Sequence, residues 1–179
     1  AKTLIRILDV TRTLAVPCDL QELLGLIIDV GRDVLQADRG TVFLYDREAG
    51  ELFATVATGE KEIRFSIDAG IAGQCARDRQ VINVPNCYTD PRFNQDIDRQ
   101  TGYRTRCLIA VPLIGLDDQL VGVIQLLNPD KSNFDVMYER IAEALAAQAA
   151  VAVQRAQLID DRIEKLKLQA LSLIHISEP

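Results

Sequence analysis

Leu108-Ile109-Ala110-Val111-Pro112-Leu113-Ile114 is followed, after five residues, by Leu120-Val121-Gly122-Val123-Ile124-Gln125-Leu126-Leu127. Two strongly apolar runs of strand length, parted by a break containing Asp117-Asp118, read as the arms of one β-hairpin. Working outward toward the N-terminus, residues 81–84 form a brief strand that Pro85 ends, and Gly70-Ile71-Ala72-Gly73 opens a short helix running to about Arg79. Ile63, Phe65 and Ile67 alternate with Arg64, Ser66 and Asp68, the period-2 signature of a half-exposed strand. Residues 41–46 (TVFLYD) and 52–57 flank the turn Glu48-Ala49-Gly50 and form a second hairpin.

Helical spacing governs the two ends. Leu4, Ile5 and Leu8 place a helix in residues 2–15, which Pro17 breaks. Asp19, with Glu22 three residues on, has the pattern of a capping box for a second helix with one broad apolar face, Leu20 through Leu35. Residues 135–171 read as one long helix in which Leu145, Ala149, Ala152, Ala156, Ile159, Ile163, Leu166 and Ala170 keep a heptad step. Its Ala-rich first half suits packing on the sheet. Its second half suits either a two-stranded coiled coil or a solvated amphipathic helix. At Ser172–Pro179 (SLIHISEP) the charged heptad character stops, and this stretch is read as a truncated or non-native tail.

These elements give an α+β fold: an antiparallel six-stranded sheet with helices packed on one face. The long polar segment 86–106 is the candidate lid over the other face, because a connection of about 20 residues in a compact domain is usually functional. The expected organisation is an N-terminal helix or linker over 1–16, one domain over 17–155, a signalling helix over 156–171, and the tail over 172–179.

Composition narrows the functions. The chain has 179 residues, 48% hydrophobic and 26% charged, with a formal net charge of −6. No basic stripe is present to neutralise phosphates, so nucleic acid is excluded as a partner. No apolar run reaches the roughly 18 residues that span a bilayer, and no signal peptide is evident, which points to a cytoplasmic protein. Cys18, Cys75, Cys87 and Cys107 form no C-x-x-C pair, so no metal site is expected and the four read as reduced thiols.

Motifs make the reading specific. Gly70-Ile71-Ala72-Gly73, Asn83-Val84-Pro85-Asn86-Cys87-Tyr88, Asp90-Pro91-Arg92-Phe93-Asn94, Asp98, Thr101-Gly102-Tyr103-Arg104-Thr105-Arg106 and Val111-Pro112-Leu113 together resemble the GAF domain, a GAF/PAS-like fold. The likeness covers roughly residues 12–155. It is closest to the subgroup found in cyclic-nucleotide phosphodiesterases and cyanobacterial adenylyl cyclases. The resemblance implies a regulatory pocket for a cyclic nucleotide, cGMP or cAMP, or a related purine nucleotide. It also implies no catalysis by the domain itself and an effector domain elsewhere in the same polypeptide; no covalent cofactor is expected, and the heptad helix points to a homodimer.

The resemblance also assigns residues. Ile71 and Ala72 at the helix start face the cyclic phosphate, in keeping with the affinity of helix N-termini for anions. Asn94, Asp98, Thr101 and Thr105 come from the lid, Gln125 and Thr41 from the sheet. Asp98, Thr101 and Thr105 at i, i+3, i+7 are expected on one helix face, with Asp98 and Thr101 also suited to a cap and turn. Arg104 and Arg106 are read either as surface charges or as locks on the loop through salt bridges. Ala57 stands where some members place an aromatic that stacks on the purine, and Thr58 where an acid is found. The family's Asn-Lys-Phe-Asp-Glu signature is met by Asn128, Lys131, Phe134, Tyr138 and Glu139. Two extra residues separate Asn128 from Lys131, and Tyr138 replaces the acid, so the usual Lys–Asp ion pair cannot form.

Other members of the family hold bilin or haem, but both need a histidine, and His175 in the tail is the only one. A redox reading, with Cys75, Cys87 and Cys107 converging on one pocket, and a ligand-free dimerisation module are the alternatives.

Overall fold

The computed structural model describes residues 9–10, 12–15, 19–55 and 62–177. The first predicted helix is seen at residues 9–10 and 12–14, where Val10 and Leu14 are buried; its start, Pro17, Cys18, Ala57 and Thr58 lie outside the described residues. Helix α1 spans Leu20–Leu35. The Glu22 N–H donates to Asp19 Oδ1 at 2.8 Å, which satisfies one of the orphan donors of the first turn. Gln36 closes the helix in the left-handed region, its N–H returning to the carbonyls of Arg32 and Asp33.

The sheet has six strands: β1 (Ala37–Asp46), β2 (Glu51–Thr55), β3 (Glu62–Ser66), β4 (Ile82–Val84), β5 (Leu108–Ile114) and β6 (Leu120–Pro129), in the order β3-β2-β1-β6-β5-β4. Every pairing is antiparallel. Strand β1 starts four residues before the β-rich run TVFLYD, and β6 runs two residues past Leu127. The pairs Ala37↔Pro129 and Arg39↔Leu127 extend the ladder. Here partner hydrogen bonds override the weak strand propensity of Ala-Asp-Arg-Gly.

Alternation along β5 sends Ile109, Val111 and Leu113 to one face and Leu108 and Ala110 to the other, all buried. The first face is covered by α1 and by the long helix α4, Val136–Ser177, whose Ala142, Ala146, Ala149 and Ala150 let it approach the strands closely. The second face is covered by helix α2 (Gly70–Asp78) through Ile71, Ala72, Cys75 and Ala76, and by segment 86–106. That segment, expected to be irregular, holds a short 3-10 turn at Cys87–Thr89 and helix α3 at Asp96–Thr101.

Helix α4 does not end at Leu171 as expected but continues through Ser177. Leu173 keeps the heptad step three residues after Ala170, so the seam continues past the charged stretch. Ala156 is the last of its residues in the core, and Ile159, Ile163, Leu166 and Leu173 are exposed.

Gly122 sits where β6 crosses β1 closely. A Cβ added there would collide with the backbone carbonyl of Phe43, which has no rotamer through which to yield. Gly122→Ala is expected to destabilise the fold by about 1–3 kcal/mol, a typical overpacking penalty, in urea denaturation. An unchanged midpoint would contradict the close approach.

Candidate functional site

The first turn of α2 is chemically open. Ala69 at its N-cap provides no side-chain acceptor, no acidic residue lies in the turn, and Gly70 has φ +70°. The leading N–H groups of the helix therefore point outward without intrahelical partners. They border a cavity of about 320 Å³ between the sheet and the lid. Phe43, Phe65, Leu108 and Gln125 wall it from the sheet, and Arg92, Phe93, Asn94 and Ile97 from the lid. Among the described residues no acidic side chain lines it. Phe43 and Phe65 meet edge to face, with ring centroids 5.1 Å apart. Arg92 is held at the lip by a two-pronged ion pair with Asp90, at 2.9 and 2.6 Å. Gln125 lies among apolar neighbours on β6, and its amide makes no hydrogen bond among the described residues.

A second cavity, about 290 Å³, lies across α3 from the first. Thr41, Asp98, Thr101, Thr105, Arg32, Arg39 and Tyr103 line it, and Ile97 borders both. The single predicted site is thus divided. Ile71, Ala72, Asn94 and Gln125 gather at the first cavity, while Thr41, Asp98, Thr101 and Thr105 gather at the second. Thr41 and Gln125 are cross-strand partners beneath α3, so the two chambers share a floor.

The expected shared helix face is not found. Gly102, at φ +72°, ends α3, and Thr105 lies beyond it. Asp98 is buried, 8% exposed, and turned inward. Its Oδ2 accepts from the Tyr88 hydroxyl and the Thr105 N–H, both at 2.7 Å, and its Oδ1 from Thr105 Oγ1 at 2.8 Å. Burial opposes its charge, but the Thr105 N–H, the Tyr88 and Thr105 hydroxyls and the Arg104 guanidinium outweigh this and hold the carboxyl below the usual range. Thr101 Oγ1 donates back to the Ile97 carbonyl at 2.8 Å, and Asn94 Oδ1 accepts from the Asp96 N–H at 2.9 Å. Asp98 and Thr105 therefore latch the lid, and Thr101 and Asn94 cap its turns.

The signature residues form a separate knot. Asn128, at φ +51°, accepts on Oδ1 from the backbone N–H groups of Arg106 and Cys107, and donates from Nδ2 to the Arg104 carbonyl and the Tyr103 hydroxyl. The Lys131 side chain has no ion pair among the described residues. Its place is taken by Arg106, whose guanidinium donates to the carbonyls of Pro129, Lys131 and Ser132. Arg104 stacks over Tyr88 at 4.3 Å. Neither arginine forms a salt bridge among the described residues. Phe134 is buried and meets Tyr138 edge to face, and Glu139 accepts from Asn83 Nδ2 at 2.9 Å. Sequence reading missed Tyr88 and Phe65 as partners; only their places in the N-V-P-N-C-Y motif and on an alternating strand could have signalled them.

The three described cysteines do not share one pocket, although Cys87 lies near Cys107. Cys75 and Cys87 lie in the lid-side core and Cys107 in the helix-side core, all fully buried. Desolvation pushes the Cys75 and Cys87 thiols up to about 12 and raises Cys107 as well. Redox catalysis needs an accessible thiolate, and this arrangement suppresses one.

Comparison with known proteins adds three findings. The family described as GAF domain matches residues 19–153. The chain is 30% identical over 148 residues to "Probable 3',5'-cyclic phosphodiesterase pde-5" of Caenorhabditis elegans, covering 75% of this chain and 20% of that protein. It is 30% identical over 145 residues to "Dual 3',5'-cyclic-AMP and -GMP phosphodiesterase 11" of Drosophila melanogaster, covering 78% and 10%. It therefore spans a fifth or less of these curated relatives. Among solved structures, a GAF domain from an Acinetobacter phosphoenolpyruvate-protein phosphotransferase superposes with a TM-score of 0.75 at 15% identity, covering 90% of this chain and 98% of that one. The free methionine-R-sulfoxide reductase of Neisseria meningitidis superposes with 0.70 at 16%, covering 89% and 94%. At such identities these two establish the fold alone.

The Asp98 latch makes a pH prediction. Its folded pKa is depressed, so its stabilisation is present above the unfolded carboxylate value, about 3.9, and is lost as pH falls through the folded value. The Thr105 amide resonance should titrate below that value and be flat in Asp98→Asn. The variant should lose about 2 kcal/mol at pH 7, the scale of a hydrogen bond to a charged group. Wild-type titration at or above the unfolded value would refute the latch.

Proposed function

Because this chain belongs to the GAF domain family over residues 19–153, we propose that it is a regulatory domain that binds a purine cyclic nucleotide, cGMP or cAMP, between the sheet and the lid. The cavity of about 320 Å³ at the open first turn of α2, with no acidic side chain among its described lining residues, carries this reading. Its volume lies within the range of small-molecule sites. The backbone at Ile71 and Ala72 receives the cyclic phosphate, where helix N–H groups and the helix dipole favour negative charge. Gln125, with one acceptor and two donors, meets an edge of the base. The hydroxyls of Thr41 and Thr101 lie across Ile97, so a nucleotide that uses both chambers must move that side chain. The relative named for cyclic AMP and GMP, and the one named as a 3',5'-cyclic phosphodiesterase, support the ligand class.

Signalling then follows from geometry. Ligand favours the closed lid, and only its differential affinity for the two lid states can drive a change. Helix α4 delivers that change to an effector domain in the same polypeptide, and the exposed seam Ile159, Ile163, Leu166 and Leu173 pairs two copies.

Calorimetric titration with cAMP and cGMP, with AMP and GMP as controls, tests the ligand. Saturable binding of a cyclic nucleotide is expected, weakened about tenfold by Gln125→Leu, the loss of about one hydrogen bond. Absence of binding to all four would leave the dimerisation module as the better reading. The pairing is checked separately: sedimentation should give a dimer for the wild type and a monomer for Ile163→Asp/Leu166→Asp, and a monomeric wild type at high micromolar concentration would refute it.

A further inference from the structure

We infer that Arg106 is the positioning residue that passes the state of the lid to helix α4. It is the last residue of the lid segment, immediately after latched Thr105. Its backbone belongs to the sheet end: its N–H donates to Asn128 Oδ1 at 2.7 Å, and its carbonyl accepts from the Cys87 N–H at 3.0 Å. Its side chain belongs to a different segment. The guanidinium reaches the carbonyls of Pro129 and Lys131, at 2.9 and 3.4 Å, and of Ser132. Pro129 ends β6, and Lys131 and Ser132 lie in the short connection into α4, whose first turn is capped where Asp135 Oδ1 accepts from the Tyr138 N–H at 2.9 Å.

One planar cation thus ties together two segments that are distant in sequence. Its partners are backbone dipoles, not a carboxylate, so the tie is directional: several fixed donors must meet several fixed acceptors at once, which a flexible ammonium cannot reproduce. A shift of Thr105 when the Asp98 latch opens moves the adjacent Arg106, and with it the carbonyls leading to the helix cap. The inference draws on the proposed ligand reading only for what closes the lid; the tie itself is independent of any ligand.

Hydrogen exchange over residues 139–146 of the full chain reads the coupling. Asp98→Asn, which weakens the latch, is expected to speed exchange there by about fivefold or more, the lower end of usual coupling between sites. Added cyclic nucleotide is expected to slow it in the wild type. In an Arg106→Lys background both responses should vanish, while nucleotide affinity stays unchanged. Responses of equal size in both backgrounds, or no response to Asp98→Asn in either, would overturn the inference. If the wild type binds no nucleotide, the ligand reading fails and the Asp98→Asn comparison still decides this one. Should Arg106→Lys fail to fold, Arg106→Gln takes its place in the same comparison.

Discussion

Burial of the central strands on both faces is the constraint from which the remaining arrangement follows. Ile109, Val111, Leu113 and Leu126 are essentially without solvent contact, as are their neighbours on the opposite face, Leu108, Ala110 and Val123. A sheet sealed in this way leaves little room for polar side chains, because an unpaired buried amide costs about 1–3 kcal/mol by mutational measures. Gln125 breaks the apolar run of β6, and it stands where the covering layer thins into a cavity. The site is therefore an interruption in the second layer and not an addition to the surface. Its wall is shared with the core, so occupancy and core packing are coupled through the same residues, Phe43 and Leu108.

The second layer stays in place through polar contacts. A buried carboxylate with three donors holds the lid, and an amide with four partners holds the strand ends at Asn128. The Asn128 amide is saturated and the Asp98 carboxylate has donors on both oxygens, which makes the two knots stable when complete and costly when half-broken. Tyr103 links the two regions: it accepts from Asn128, donates to Asp38 at 2.7 Å and carries Arg39 on its ring at 3.8 Å. The lid is thus attached at its middle and at its end to different parts of the sheet.

The fold was legible wherever periodicity and burial agree. The β5–β6 hairpin, the Asp19 cap and the α2 opening all came from local pattern, because each expresses a short-range rule. Strand ends did not, because Ala37–Gly40 becomes a strand only by pairing with β6. Among the site residues, the family resemblance named Ile71, Ala72 and Gln125, which line one cavity. Spacing failed for Asp98 and Thr105, since a helix assumed to continue past Gly102 put Thr105 on the wrong element. The role of Arg106 was unreadable: carbonyl acceptors have no sequence signature, so a charge partner was the natural guess. Whether Ala57 and Thr58 serve the pocket lies beyond the described residues.

Helix α4 is 42 residues long and leaves the core after Ala156. The 21 residues that remain to Ser177 form a rod about 30 Å long at 1.5 Å per residue. Such a rod is both a lever and a protractor. A tilt of about 5° at its root sweeps its far end through nearly 3 Å at that length. Each added or removed residue turns whatever is attached by about 100°. Any module joined to this helix therefore reads its orientation from the length of the junction, and only junctions that differ by whole heptads nearly preserve it.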